Sequence, residues 1–246
     1  MTRDEKWLLE EKYGGTEKPE FAADKTRLAQ GEPLAYIIGY EPFLGLRIYL
    51  DSHPLIPRPE TEWWVESMLN TIIESGADQG FSFLDLCAGS GAIGCAVLAR
   101  CHKAHVSFGE IDPTHRETIE KNIRENNLDL SQADIRLGDL FMPFGNQTFD
   151  FIAANPPYIP KKRMLDESVR DFEPGIALFG GEDGLSVIRT IAKELPLYLR
   201  SGGTAWIECD SAHAEAACAL FSAEKLGAQI RTDQYGVPRF IVVSFK

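Results

Sequence analysis

From Phe81 to Cys209 the chain alternates short apolar runs with helix-length segments, and this order constrains the fold more than any other feature. The spacing predicts strands over 81–87, 105–111, 133–138, 149–155 and 203–209, with helices over 90–101, 113–127, 184–198 and 211–226. Such alternation gives a mostly parallel sheet with helices on both faces, an α/β fold. A long irregular segment follows the fourth of these strands. The tail breaks the pattern: "QIRTDQYGVPRFIVVSF" reads as two strands about a Gly236–Pro238 turn, an antiparallel hairpin ending.

Upstream, residues 1–30 read as one or two short helices broken at Gly14-Gly15. "PLAYIIGYEPFLGLRIYL" (33–50) reads as a β-hairpin turning near Glu41-Pro42. Pro59 suits a first helical turn, with Glu60 and Glu62 at the positive end of the helix dipole. The expected organisation is a short helical extension (1–32), a β-hairpin linker (33–58) and one α/β domain (59–246). A chain of 246 residues, 44% hydrophobic, suffices for that and not for two large domains.

Several function classes are excluded early. No apolar run approaches the roughly 20 residues needed to span a bilayer. "MTRDEKWLLEEKYGG" is too charged for a secretory leader. The five cysteines, Cys87, Cys95, Cys101, Cys209 and Cys218, include no CxxC pair and leave an odd one, so reduced thiols and no metal site are expected. The net charge of −12 argues against non-specific duplex binding. A cytoplasmic monomer with neither membrane nor nucleic acid as partner is the expectation.

"DLCAGSGAIG" (85–94) lies between a strand and a helix. Gly89 and Gly91 let backbone approach a ligand closely, and the helix start offers free N–H groups. Gly89 to Gly94 also fits the dinucleotide fingerprint, with Glu110 about 20 residues on. The loop therefore predicts a nucleoside cofactor. Asp85 tilts the choice to S-adenosylmethionine, because a carboxylate suits a cationic amino-acid end and sits badly beside a pyrophosphate. Glu110 is placed to accept from a ribose diol, with Asp112 its near competitor. In "GDLF", Asp139 is placed to accept from an adenine amino group.

"NPPY" (155–158) closes the fourth strand of the alternation. Asn-Pro is also an ordinary turn signal. In an open doubly wound sheet, however, ligands bind at the carboxyl ends of strands where strand order reverses. If the first and fourth strands flank that point, Asn155 and the glycine loop face each other across the cofactor. The Asn155 side-chain oxygen and the Pro156 carbonyl then each accept one hydrogen of a planar NH₂, aiming its lone pair at an electrophilic methyl by orientation rather than by strong base. Pro156 and Pro157 stiffen the carbonyls, and Tyr158 provides a face for the planar group. "PKKR" (160–163) reads as a solvated basic loop. Of Trp63-Trp64, one residue is expected inward and one at a seam.

Together, "NPPY", "DLCAGSGAIG", "GEPLAYIIGYEPFLGLRIYL", "LIPRPETEWWVE", "EPGIALFGGEDGL" and "RTDQYGVPRFIVV" resemble the protein-(glutamine-N5) methyltransferases that modify peptide chain release factors. The match runs from about Gly31 to the C-terminus. The resemblance implies a class I methyltransferase fold: a seven-stranded, mostly parallel, Rossmann-like sheet with a C-terminal antiparallel hairpin. It implies S-adenosylmethionine as cofactor, S-adenosylhomocysteine as product, and the glutamine of a release factor's Gly-Gly-Gln loop as substrate. Carried onto this chain, the cofactor-binding positions are Asp85, Cys87, Ala88, Gly89, Gly91, Glu110, Asp139, Leu140 and Asn155. The substrate positions are Asn155, Pro156, Pro157 and Tyr158, of which Asn155, Pro156 and Tyr158 are the catalytic set. The chain departs from the family pattern at Cys87, where a glycine is usual, at Glu110, where aspartate is usual, and in its short N-terminal region. The rival readings are a DNA or RNA amino-methyltransferase, a ribosomal-protein glutamine methyltransferase, and a non-catalytic cofactor-binding module.

Overall fold

The structure is a computed structural model that describes residues 1–76 and 80–245. Three helices open the chain: α1 (Arg3–Tyr13), α2 (Pro19–Ala29) and α3 (Leu34–Ile38). Leu8, Tyr13, Phe21 and Ile37 form a small core among them. Asp24, itself buried, accepts hydrogen bonds from Lys12 Nζ (2.5 Å), the Tyr13 hydroxyl (2.7 Å) and Arg27 Nη1 (2.9 Å), which pins α1 to α2.

The hairpin is shorter than its sequence suggests. β1 (Tyr40–Phe43) and β2 (Leu46–Tyr49) pair about Leu44-Gly45, both in left-handed backbone at φ +48° and +82°. The expected first strand is instead α3, because Ala35 and Tyr36 pack into the main core while Ile37 packs into the N-terminal one. Gly39 ends that helix at φ +100°. The Tyr36 hydroxyl donates to the Pro54 carbonyl, fixing the strap that follows β2.

α4 (Pro59–Glu74) leads into the main sheet. The parallel core runs β3 (Phe81–Leu86), α5 (Ala92–Arg100), β4 (Ala104–Glu110), α6 (Arg116–Glu125), β5 (Ala133–Leu137) and β6 (Phe149–Ala154). Two short helices, α7 (Glu167–Phe172) and α8 (Gly175–Leu178), punctuate the stretch read as irregular. α9 (Ser186–Tyr198), β7 (Leu199–Glu208), α10 (Ala214–Ala223), β8 (Leu226–Thr232) and β9 (Pro238–Phe245) complete the chain. The sheet order is β5-β4-β3-β6-β7-β9-β8, parallel from β5 to β7 and antiparallel for the closing hairpin.

Both faces of the sheet are buried. α4, α5 and α6 cover one side, with Met68, Val97 and Ile123 packed in the core that holds Phe83 and Phe108. α9 and α10 cover the other, with Ile188, Leu195 and Phe221 in the core that holds Leu84 and Ile152. β3 pairs with β4 on one side and β6 on the other, so chain progress reverses there. A ligand crevice opens at the carboxyl ends of strands flanking such a point.

Candidate active site

Two cavities meet at this reversal. The first, about 220 Å³, lies over the ends of β3, β4 and β5 and is lined in part by Cys87, Gly89, Glu110, Asp139 and Leu140. The second, about 490 Å³, lies over the end of β6 and is lined in part by Arg58, Pro156, Tyr158, Met164 and Val169. Asn155 borders both, as do Leu55 and Ala177.

Glu110 ends β4 at 6% exposure, and each carboxylate oxygen is already held by backbone. Gly89 N–H donates to Oε2 at 2.6 Å and Asp112 N–H to Oε1 at 2.8 Å. Of the two acids, Glu110 lines the cavity, while Asp112 accepts from Thr114 and starts the next turn. Cys87 takes a left-handed backbone at φ +61°, as does Leu140 at +43°. Burial, ahead of the charges of Glu110, Asp85 and Asp139, pushes the Cys87 thiol up, so it is a neutral wall group and no nucleophile. Ala88 N–H donates to the Gly109 carbonyl, and Gly91 N–H to the Ala88 carbonyl, closing the turn into α5.

Asp85 does not line the cavity where the sequence reading put it. It is fully buried behind the loop, where its Oδ2 accepts from Gly94 N–H at 2.8 Å and braces the start of α5. Among the described residues its Oδ1 has no hydrogen-bond partner. Burial pushes this carboxyl well above the usual range; the Gly94 bond opposes that shift and the Glu110 charge adds to it.

Over the second cavity, "NPPY" leaves the sheet directly at β6. Pro156 is buried, and Asn155, Pro157 and Tyr158 are half-buried. The segment beyond is zipped to the chain after α8: Ile159 N–H donates to Leu178 O, Gly180 N–H to Ile159 O, and Lys161 N–H to Gly181 O. A Cβ added at Gly180 or Gly184 would collide with the Pro157 or Tyr158 carbonyl oxygen, so both glycines are needed for this close approach. The strap after β2 is tied to the same stretch. Ile56 N–H and Arg58 Nη2 both donate to the buried Glu173 carboxylate, at 3.2 and 2.5 Å. "LIPRPE" and "EPGIALFGG" are therefore two halves of one cavity wall.

Beneath Tyr158 lies Glu208, at the end of β7 and 1% exposed. It accepts from Thr61 Oγ1 (2.7 Å) and Trp64 Nε1 (2.6 Å) on one oxygen and from the Tyr158 hydroxyl (2.9 Å) on the other. Burial pushes its carboxyl above the ordinary glutamate range, against the lowering pull of those three donors. Burial, then the Glu208 charge, pushes the Tyr158 phenol well up, so it stays protonated and donating. Asn155 Nδ2 donates to Thr61 Oγ1 at 3.2 Å. Sequence reading missed Thr61, Glu173 and Glu208: the first looks like a helix-start residue, and the others are lone acids. Trp64 points inward and Trp63 is half-buried, as expected. Of "PKKR", Lys161 and Lys162 are exposed, while Arg163 is tied to Asp210 by an ion pair.

Comparison with known proteins decides the family. A methyltransferase small domain matches residues 66–172. The release factor glutamine methyltransferase of Chlamydia trachomatis is 36% identical over 210 residues, covering 85% of this chain and 70% of its own. That of Streptococcus pneumoniae is 33% identical over 245 residues, covering 96% and 84%. This chain belongs to the release factor glutamine methyltransferase family. Its fold is shared with a solved methyltransferase from Pyrococcus furiosus, with a TM-score of 0.55 at 15% identity over 90% of this chain and 98% of that one. The protein is a methyltransferase whose cofactor is S-adenosylmethionine. Among the described residues, no helix is long and apolar enough to cross a membrane.

Proposed function

We propose that this enzyme methylates the side-chain amide nitrogen of the glutamine in the Gly-Gly-Gln loop of peptide chain release factors. The observation that carries the reading is Asn155: it borders both cavities, its NH₂ is turned to Thr61, and its Oδ1 accepts from none of the described residues. That oxygen and the Pro156 carbonyl are the acceptors for the two hydrogens of a planar substrate amide. An amide nitrogen is a weak nucleophile, so fixing its orientation is the main service the protein can render. At that nitrogen one hydrogen is replaced by one methyl, the hydrogen leaving as a proton. The Glu208 charge beneath Tyr158 favours the positive charge that nitrogen gains meanwhile.

S-adenosylmethionine supplies an electrophilic methyl, and the residues of the smaller cavity fit it. Glu110, pinned by two backbone N–H groups, has lone pairs left for a ribose diol. Asp139 and Leu140 flank the place for adenine. Cys87, Ala88, Gly89 and Gly91 form the tight turn that lets backbone come close. Asp85 fits as the brace of that turn, with Oδ1 remaining for a donor the described residues do not supply.

A glutamine that follows two glycines reaches a recessed clamp because its neighbouring backbone carries no side chains. A base in duplex DNA would first have to be flipped out at a cost of a few kcal/mol. A chain of net charge −12 offers little phosphate contact to offset that. The test is transfer of labelled methyl to a release factor, with the site mapped by mass spectrometry. The expected result is label on the Gly-Gly-Gln glutamine, none on a Gln→Ala release factor, and a 10²- to 10³-fold lower turnover for Asn155→Ala, the order seen when one preorganised group is lost. Cofactor affinity should change far less in that variant. Label on nucleic acid and never on release factor overturns the reading.

A further inference from the structure

Thr61 carries a single hydroxyl hydrogen, and the structure commits it. Glu208 is a buried acceptor with three donors around it, Thr61, Trp64 and Tyr158. The hydroxyl hydrogen of Thr61 goes to Glu208 at 2.7 Å, so towards Asn155 the Thr61 oxygen can only accept. An accepting oxygen selects the NH₂ side of the Asn155 amide, which lies 3.2 Å away. The opposite face of the same amide is then its carbonyl oxygen. Trp64 secures the arrangement: its indole N–H can only donate, so it keeps a carboxylate oxygen on the Thr61 side, 2.6 Å away. Without this relay an asparagine amide has two nearly isosteric orientations, and one of them would turn an NH₂ towards the substrate's own NH₂.

We propose that Thr61 is the positioning residue of the acceptor clamp: with its hydrogen held by Glu208, it fixes Asn155 so that Oδ1 faces the substrate cavity. This rests on the reading of Asn155 as the clamp's acceptor. Thr61 lines neither of the two cavities. It is buried at 3% exposure, sits in the first turn of α4, and reaches Asn155 across 94 positions of sequence. The role gives a reason for threonine at this helix start, where the hydroxyl makes no helix cap.

The test is a double-mutant cycle read at saturating release factor. Thr61→Val keeps the shape and removes the hydroxyl, while Thr61→Ser keeps the hydroxyl. Thr61→Val is expected to lower kcat by about 10- to 100-fold, the scale for a misplaced orienting group, with KM and S-adenosylhomocysteine affinity changed by less than about threefold. Thr61→Ser should restore most of the turnover. In an Asn155→Ala background Thr61→Val should cost less than about threefold, because the group it orients is gone. Thermal unfolding of each variant reports whether it is folded, and Thr61→Ala gives the same reading should the valine variant not fold. Wild-type turnover in Thr61→Val beside a slow Asn155→Ala overturns the relay and leaves the clamp standing. Losses that multiply in full also overturn it, since Thr61 then acts elsewhere. A fast Asn155→Ala removes the clamp reading itself, and the relay with it.

Discussion

Asp85, in β3, and Glu110, at the end of β4, are two carboxylates that hold the same loop from opposite situations. Glu110 is pinned by two backbone N–H groups at the cavity edge, and Asp85 is sealed behind the loop with one oxygen unpaired. Because burial lifts the Asp85 carboxyl above its ordinary range, the folded chain holds that proton more tightly than the unfolded chain does. Its contribution therefore erodes stability as pH rises above the usual aspartate range, and the erosion vanishes at lower pH. Asp85→Asn lacks this slope. Its unfolding temperature should be about 2–4 °C higher than wild type at pH 7, the shift that roughly 1 kcal/mol makes in a domain of this size, and the difference should close towards pH 4. S-adenosylhomocysteine affinity, measured by calorimetry, should fall about fivefold in the same variant, because the Gly94 brace of the turn that walls the cavity loses its charge, a change of about 1 kcal/mol. A variant destabilised at pH 7 with full affinity would show that Asp85 is an ordinary structural acid. That Glu110, Asn155 and Gly89 would line a cavity was legible in the sequence because the signal is local: a residue type at a fixed offset from a strand end. Thr61 and Glu208 were not legible, since a hydroxyl in "PETE" and an acid in "WIEC" acquire their roles only from each other.

The elements were read largely from their apolar spacing, and the core strands lie close to where that spacing puts them. The misreadings fall where packing overrides pattern. "LAYII" looks like a strand and forms α3, because neighbouring residues serve two different cores. The "GGEDG" stretch is irregular, as its composition suggests, and what the spacing does not show is how closely it packs against the Pro157–Tyr158 backbone. Gly184, at φ +75°, abuts the Tyr158 carbonyl, and Gly180 abuts the Pro157 carbonyl. Gly184→Ala would bring a left-handed penalty of about 1–2 kcal/mol and an overpacking cost of about 1–3 kcal/mol. The expected outcome is a protein less stable by about 2–5 kcal/mol in urea unfolding. Its turnover should fall more than its S-adenosylhomocysteine affinity, since the displaced segment carries the acceptor and not the cofactor loop. Equal losses in both would mean that the zipped segment has no special tie to the clamp.

At the scale of the molecule, the N-terminal helices have their own small core and their own lock. Burial alone would raise the Asp24 carboxyl, but hydrogen bonds from Lys12, Tyr13 and Arg27 outweigh it and hold it below the usual range. A lowered carboxyl stabilises the folded form above its unfolded pKa, and that stabilisation is lost as pH falls through the folded value. Asp24→Ala removes the acceptor shared by Lys12, Tyr13 and Arg27, leaving Arg27 on Glu32 and Lys12 on the Ile37 carbonyl, and should cost about 1–3 kcal/mol locally. Hydrogen exchange should quicken over residues 3–29, while cofactor affinity stays at the wild-type level. The same exchange should quicken in wild type under acid. Slow exchange in the variant would show that the apolar contacts alone hold these helices. The strand order was implied by family resemblance and not by pattern, because periodicity says where strands are and not which ones touch. One consequence follows from Glu208, whose donors Thr61 and Trp64 precede it by 147 and 144 positions. A chain emerging from synthesis displays α4 long before β7 exists to receive its hydrogens. The glycine loop and Glu110 are complete in the earlier half of the sheet, whereas the hydrogen bonds beneath Asn155 and Tyr158 wait for the seventh strand in chain order. The last strand of the parallel run to be laid down is the one that supplies the acceptor for Thr61, Trp64 and Tyr158.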